Sequence, residues 1–127
     1  MLKTGIKGTR EIFVTEDNTA KRLKSGELDV FATPAMVALI EETAWRSIAE
    51  ELSSEETTVG IKIDVRHISA TPIGLKVRCE TELVEIDRKR LVFYVEVFDE
   101  YDKICDGTHE RFIVNRENFL NKVTMKR

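Results

Sequence analysis

Proline occurs only twice in 127 residues, tryptophan once, and cysteine and histidine twice each. Cys79 and Cys105 have no CxxC spacing and no histidine cluster beside them, so neither a disulfide framework nor a metal site is expected. Cys79 falls in the apolar phase of a strand and reads as a small buried residue. Charge of one sign is missing as well: 20 Lys and Arg against 23 Asp and Glu give a net −3, with both signs mixed along the chain. A nucleic-acid partner normally needs a concentrated basic face, and there is none. No apolar run approaches the roughly 18 residues of a membrane span. Met1-Leu2-Lys3-Thr4-Gly5 has no apolar leader core, so a cytoplasmic protein without a membrane partner is expected. Repeats and low-complexity runs are absent. A chain with 42% hydrophobic and 34% charged residues fits one domain, residues 1–127, with a core of its own.

What is present is organised around Thr33 to Leu52. Thr33-Pro34 is a helix start, because the threonine oxygen can cap a free N–H and proline fits the first helical position. Ala35 to Ile40 is apolar on every side, which predicts an enclosed core helix of roughly 28 Å. Glu41 does not fit that burial. Its helical neighbours are Val37, Ala38, Ala44, Trp45 and Ile48, so its carboxylate is expected in the apolar stripe and becomes a candidate for chemistry. Glu42 has Arg46 four residues on and is explained by that pair, worth about 0.3–0.5 kcal/mol. Trp45 reads as a core aromatic.

Around the helix the period is two. Arg10 to Thr15 is a short first strand, and Glu16 to Asp29 is an irregular or partly helical approach. Thr58 to Ser69 alternates, with Val59, Ile61, Ile63 and Val65 on one face, and the phase carries His67 onto that face. Thr71-Pro72-Ile73-Gly74 is a turn. Leu75 to Ile86 is the next strand, with Val84 and Ile86 out of phase as at a bulge. Asp87 to Arg90 is a charged hairpin loop. Leu91 to Phe98 is apolar on both faces, Ile104 to Val114 is the last long strand, and Asn115 can cap a short terminal helix. Strands joined by short turns are antiparallel, so the fold class is α+β, one sheet wrapped around one helix. The helix can fill only one face of that sheet. A second covered face and open edges predict a homodimer or a higher homo-oligomer.

A helix enclosed by about five antiparallel strands is the hot-dog arrangement, and the chain resembles the fluoroacetyl-CoA thioesterase family within it. The residues that carry the resemblance are Phe31-Ala32-Thr33-Pro34-Ala35, Glu41-Glu42-Thr43-Ala44, Thr58-Val59-Gly60, Val65-Arg66-His67 with Ala70-Thr71-Pro72, and Gly107-Thr108-His109-Glu110-Arg111. The resemblance implies hydrolysis of a small acyl-CoA thioester, with no cofactor and with CoA present only as part of the substrate. It implies catalytic roles for Thr33, Glu41 and His67, and contact with substrate for Gly60 and Arg111. The sequence departs from the family at Leu23 to Leu28, where fluoroacetyl-specific members carry gating phenylalanines and only Phe31 remains nearby.

Each residue also has a plain structural reading. Thr33 can be a helix cap, His67 a hydrogen-bonded core histidine, Glu41 a paired structural acid, Gly60 a strand bulge, and Arg111 a surface ion-pair partner of Glu110 or of a neighbouring strand. His109 reads as a partly exposed strand residue. Thr33 and Glu41 are eight residues apart, about 12 Å of helix rise, so they are expected to flank a substrate rather than bond to each other. A non-catalytic acyl-CoA binding or sensor module is the alternative function. A hot-dog hydratase is disfavoured, since such an enzyme places a histidine on the helix and this helix has none.

Overall fold

The computed structural model describes residues 1–127. Its strands are β1 (Lys7–Phe13), β2 (Glu56–His67), β3 (Lys76–Asp87), β4 (Arg90–Phe98) and β5 (Lys103–Asn115), and its helices are α1 (Ala20–Leu23), α2 (Thr33–Ile48) and α3 (Arg116–Thr124). All five strands form one antiparallel sheet in the order β1-β3-β4-β5-β2, with α2 packed against one face. The hairpins β3–β4 and β4–β5 supply the centre, because their short connections leave antiparallel neighbours as the available pairing. No helix is long and apolar enough to cross a membrane.

The core lies between α2 and the sheet. Met36, Leu39, Ile40, Ala44 and Ile48 of α2 meet Val77, Cys79 and Leu83 of β3 and Leu91, Phe93, Val95 and Val97 of β4, all buried. The helix lies close over β1: a Cβ built on Gly8 would lie 2.7 Å from Ser47 Cβ and 3.0 Å from the Thr43 carbonyl oxygen. Only glycine permits that approach.

Several sequence expectations need correction. Helix α2 ends at Ile48 and passes into a 3₁₀ turn at Ala49–Glu51 short of Leu52, and β1 sits about three residues earlier than expected. Nor is α2 enclosed. The buried stripe runs through Met36, Leu39, Ile40, Thr43, Ala44 and Ile48, which leaves Ala38 exposed and Trp45 37% exposed under the Arg46 guanidinium. Glu41 lies on this open side and is 43% exposed, so the apolar stripe does not hold it. Apolar residues all round a helix do not reveal which side faces the sheet. The second face of β4 is likewise uncovered within the chain, with Tyr94 exposed.

Strand β2 is a sheet edge, and its register shifts between Gly60 and Lys62. Ile61 is the extra residue. Cross-strand partners share a face. Thr58 opposite Ile113, Gly60 opposite Arg111, Ile63 opposite His109 and His67 opposite Cys105 therefore all face the helix side. Val59 falls on the other side, against expectation, because the bulge resets the alternation. The bulge expected in β3 is present between Leu83 and Glu85. Asn115 caps α3 by accepting the Asn118 N–H at 3.0 Å, and Arg116 ties the helix to the Glu55 and Ser54 carbonyls that precede β2.

Candidate active site

Helix α2 and strand β2 run in opposite directions along the open side of the molecule. The start of the helix therefore meets the end of the strand. Thr33 is the first helical residue and Pro34 the second, while the cap position is Ala32, which makes no side-chain capping bond. The expected capping role of Thr33 is thus not realised. Its hydroxyl instead lies 2.8 Å from His67 Nδ1. A hydroxyl and an imidazole at that distance share a proton, and the pair supplies an oxygen with a base beside it. Neither the Thr33 nor the Ala35 N–H has a backbone acceptor, and Pro34 has no N–H, so the first turn presents free donors next to the pair.

His67 is held in place by the end of β2: it pairs with Cys105, and the following Ile68 N–H bonds the Ile104 carbonyl at 2.8 Å. Burial lowers its pKa from the ordinary value, partly offset by a backbone group of Ser69, so the ring is neutral at pH 7. Its Nε2 is buried and has no hydrogen-bond partner within the chain. The pair opens into a cleft of about 330 Å³ whose apolar wall includes Val30, Phe31, Ile68 and Ala70. The far wall is the segment from Ala20 to Val30, folded back by the Ala20 N–H to Val30 carbonyl bond and the Thr19–Phe31 bridge. In this segment Leu23 and Leu28 are exposed, and Phe31 is a core residue beneath the helix start.

Two helical turns further on, Glu41 forms a second group with Gly60, His109 and Arg111. Arg111 is only 6% exposed. It donates from Nε to Thr58 Oγ1 at 2.7 Å, from Nη2 to the Thr58 carbonyl at 3.0 Å, and from Nη1 to His109 Nε2 at 3.1 Å. Nη1 also lies 3.8 Å from Glu41 Oε2, an ion pair across a gap longer than a hydrogen bond. The surface reading of Arg111 with Glu110 is wrong; Glu110 pairs with Arg90 at 3.1 Å. Gly60 permits the arrangement, since a Cβ there would sit 2.6 Å from Glu41 Oε2. The glycine is therefore both next to the bulge and in contact with the carboxylate.

Within one chain the five residues fall into two groups, Thr33 with His67 and Glu41 with Gly60 and Arg111. Glu41 has Arg111 as its charged partner and bonds neither Thr33 nor His67. His109 was missed by sequence reasoning and is 1% exposed. The signal was available, since His109 and Arg111 share strand parity and an inward Arg111 requires an inward His109. Burial pushes the Cys79 thiol up to about 11 and the Cys105 thiol up to about 12, so neither offers a thiolate nucleophile near neutral pH. No group of three or more His, Cys, Asp or Glu side chains is placed to hold a metal ion.

The arrangement has relatives. Residues 14–117 match the family model described as fluoroacetyl-CoA-specific thioesterase. The chain is 36% identical to the fluoroacetyl-CoA thioesterase of Streptantibioticus cattleyicolor over 131 aligned residues, covering 98% of this chain and 94% of the relative. It superposes on a solved structure of a fluoroacetyl-CoA thioesterase with a TM-score of 0.94 at 34% identity, covering 100% of this chain and 98% of that one. A threonine-to-alanine variant of such an enzyme, solved in complex with fluoroacetate, gives 0.92 at 33% identity over 99% of each chain. At 24% identity a Thermus thermophilus thioesterase superfamily member, TM-score 0.89 over 99% and 96% of the two chains, supports the fold alone. With a five-stranded antiparallel sheet around α2, a family match over most of its length and these relatives, the chain has the hot-dog fold and belongs to the fluoroacetyl-CoA-specific thioesterase family.

Proposed function

We propose that this chain is a thioester hydrolase that cleaves a small acyl-CoA to the free acid and CoA. The observation that carries the reading is the Thr33–His67 contact at 2.8 Å, set at a helix N-terminus and opening into a cleft. The thioester carbonyl sits against the free N–H groups of the first turn of α2, which stabilise the oxyanion as it forms. The attacking oxygen, whether of Thr33 or of a water seated beside it, gives its proton to His67 Nδ1. That proton then leaves on the CoA thiol, and atoms balance when one water has been consumed per thioester. Glu41, paired with Arg111, is the anionic group of the site. No cofactor takes part, and the acyl group is not fixed as fluoroacetyl, since the gating residues differ.

The active unit in this proposal is a homodimer paired antiparallel along β2. Support comes from the open edge of β2, where Ile61 is 51% exposed and Ile63 is also open, and from the orphaned His67 Nε2. With Ile63 on the two-fold axis, Lys62 faces the partner's Asp64 twice over, and, once the extra residue Ile61 is stepped over, His67 faces the partner's Thr58. The partner's Gly60 then faces Val65, which brings the partner's Glu41 to the same face as His67 and one residue pair along from it. One chain supplies Thr33 and His67 to each site, and the other supplies Glu41 and Arg111. Ile63→Arg places like charges on the axis and is expected to convert a dimer to a monomer in sedimentation equilibrium, with loss of turnover. A native chain that sediments as a monomer, or an active dimeric variant, rules this assembly out.

The reaction itself is tested by thiol release from short, branched, aromatic and long acyl-CoA esters, comparing the native chain with Thr33→Val. Valine keeps the shape and removes the hydroxyl that is paired with the base, so kcat on the best ester is expected to fall about 10²–10⁴-fold. If esters bind but none is cleaved by the native chain, the binding-module reading replaces this one.

A further inference from the structure

A buried imidazole needs both nitrogens satisfied, and here the neighbours decide which one carries the proton. His109 Nδ1 lies 2.8 Å from the Lys62 carbonyl oxygen, which can only accept, so Nδ1 is protonated. Nε2 lies 3.1 Å from Arg111 Nη1, which can only donate, so Nε2 presents its lone pair. The ring is held from the side by Phe93, centroids 6.3 Å apart and planes 28° from parallel. Arg111 is pinned at two corners by Thr58 through Nε and Nη2. The third corner, Nη1, faces Glu41, and what sets its direction within the chain is the His109 lone pair.

We propose that His109 is a positioning residue for thioester hydrolysis: its Nε2 lone pair aims Arg111 Nη1 at the Glu41 carboxylate beside Gly60, while its Nδ1–H ties down the bulged turn of β2. The inference rests on the reading of Glu41 as part of the reacting site. Lys62 directly follows the bulge residue Ile61, so one imidazole couples the shape of the strand to the direction of the guanidinium. The role requires a neutral ring. Protonation would set a second cation and a second donor against Arg111. Burial, first, and the Arg111 charge both oppose it, whereas the Lys62 carbonyl, Glu41 and Glu110 favour it, and the net effect lowers the pKa.

Two variants separate positioning from packing. His109→Asn keeps a donor near the Nδ1 position and offers nothing at Nε2, whereas His109→Gln brings an acceptor to the Nε2 position. On the best acyl-CoA ester, His109→Asn is expected to lower kcat by about 10–100-fold, the worth of one hydrogen bond to a charged group, with KM changed less than threefold. His109→Gln is expected to restore most of that loss. In a Glu41→Gln background, adding His109→Asn is expected to cost less than about twofold, because the two side chains act through one interaction. Equal losses in the Asn and Gln variants, or full additivity with Glu41→Gln, overturn the inference and leave the thioesterase reading standing. A Glu41→Gln chain with native kcat removes Glu41 from the reaction and this inference with it. Nitrogen NMR of the native chain gives a check that needs no variant to fold: a proton on Nε2 of His109 overturns the proposal, and one on Nδ1 is the expected result.

Discussion

His67→Ala is expected to lower kcat for the best acyl-CoA ester by about 10²–10⁴-fold, the range for loss of a general base, with the protein still folded. Thr33 keeps its place at the start of α2 in that variant but has no proton acceptor within reach. The pH dependence has a definite sign. Burial lowers the pKa of His67 below its ordinary 6.5, so the base form dominates at neutral pH. Within one chain that places the acid limb of kcat/KM below pH 6.5; the partner's Glu41 carboxylate, which the proposed dimer brings toward His67, acts the other way, so Glu41→Gln is expected to move the limb to lower pH. Stability follows the same direction. A histidine whose folded pKa is depressed binds fewer protons when folded than when unfolded, so its contribution is lost as pH falls from 6.5 through the folded value. His109, lowered for the same main reason, adds to that slope. A His67→Ala chain with native turnover, or a rate with no acid limb at all, excludes His67 as the base.

Much of this was legible in the chain because periodicity survives translation into space. Five strands, a long helix starting at Thr33-Pro34, the β3 bulge and the Asn115 cap all follow from local pattern and turn chemistry. So did the pairing of inward His67 with the helix side. What failed was of another kind. The capping role of Thr33 was a sound local inference, and it lost to a tertiary contact with His67, 34 positions away. Glu41 was singled out for the wrong reason: it is not trapped among apolar residues but stands on the open flank of α2 opposite Gly60. An apolar helix does not record which of its sides meets the sheet and which stays open within the chain. Val59 and Ile61 fall outside the expected phase because Ile61 is an extra residue, so the face set by Ile63, Val65 and His67 does not carry back across it, and glycine alone does not distinguish a bulge from a close approach. His109 reads as partly exposed because a polar residue on a strand suggests solvent, although its shared parity with Arg111 places both on the inner face.

Gly107→Ala is expected to be the most destabilising single substitution in the sheet. The residue has φ +153°, where L side chains are rarely found, and an added Cβ would lie 2.1 Å from the Asp64 carbonyl oxygen and 2.7 Å from Val65 Cα. Both obstacles are backbone, so nothing nearby can rotate away. The strain and the overpacking each cost about 1–3 kcal/mol, giving a loss of about 2–6 kcal/mol in urea unfolding unless β2 separates from β5. Separation would carry His67 away from Thr33, because Val65 and His67 are aligned through Gly107 and Cys105. Gly60→Ala makes the contrast on the same strand pair. There the added Cβ meets Glu41 Oε2 at 2.6 Å, the far end of a flexible side chain that can swing aside, and comes within 3.3 Å of Arg111 Nη1 and His109 Cε1, which need give by only a few tenths of an ångström. The unfolding midpoint should stay near native while turnover falls, because the displaced carboxylate no longer lies against Arg111. If Gly107→Ala unfolds like the native chain, β2 has more freedom at its end than the Asp64–Thr108 register allows. If Gly60→Ala keeps full turnover, the proximity of Gly60 to Glu41 is a packing detail, and the site depends on the Thr33 end of the helix alone.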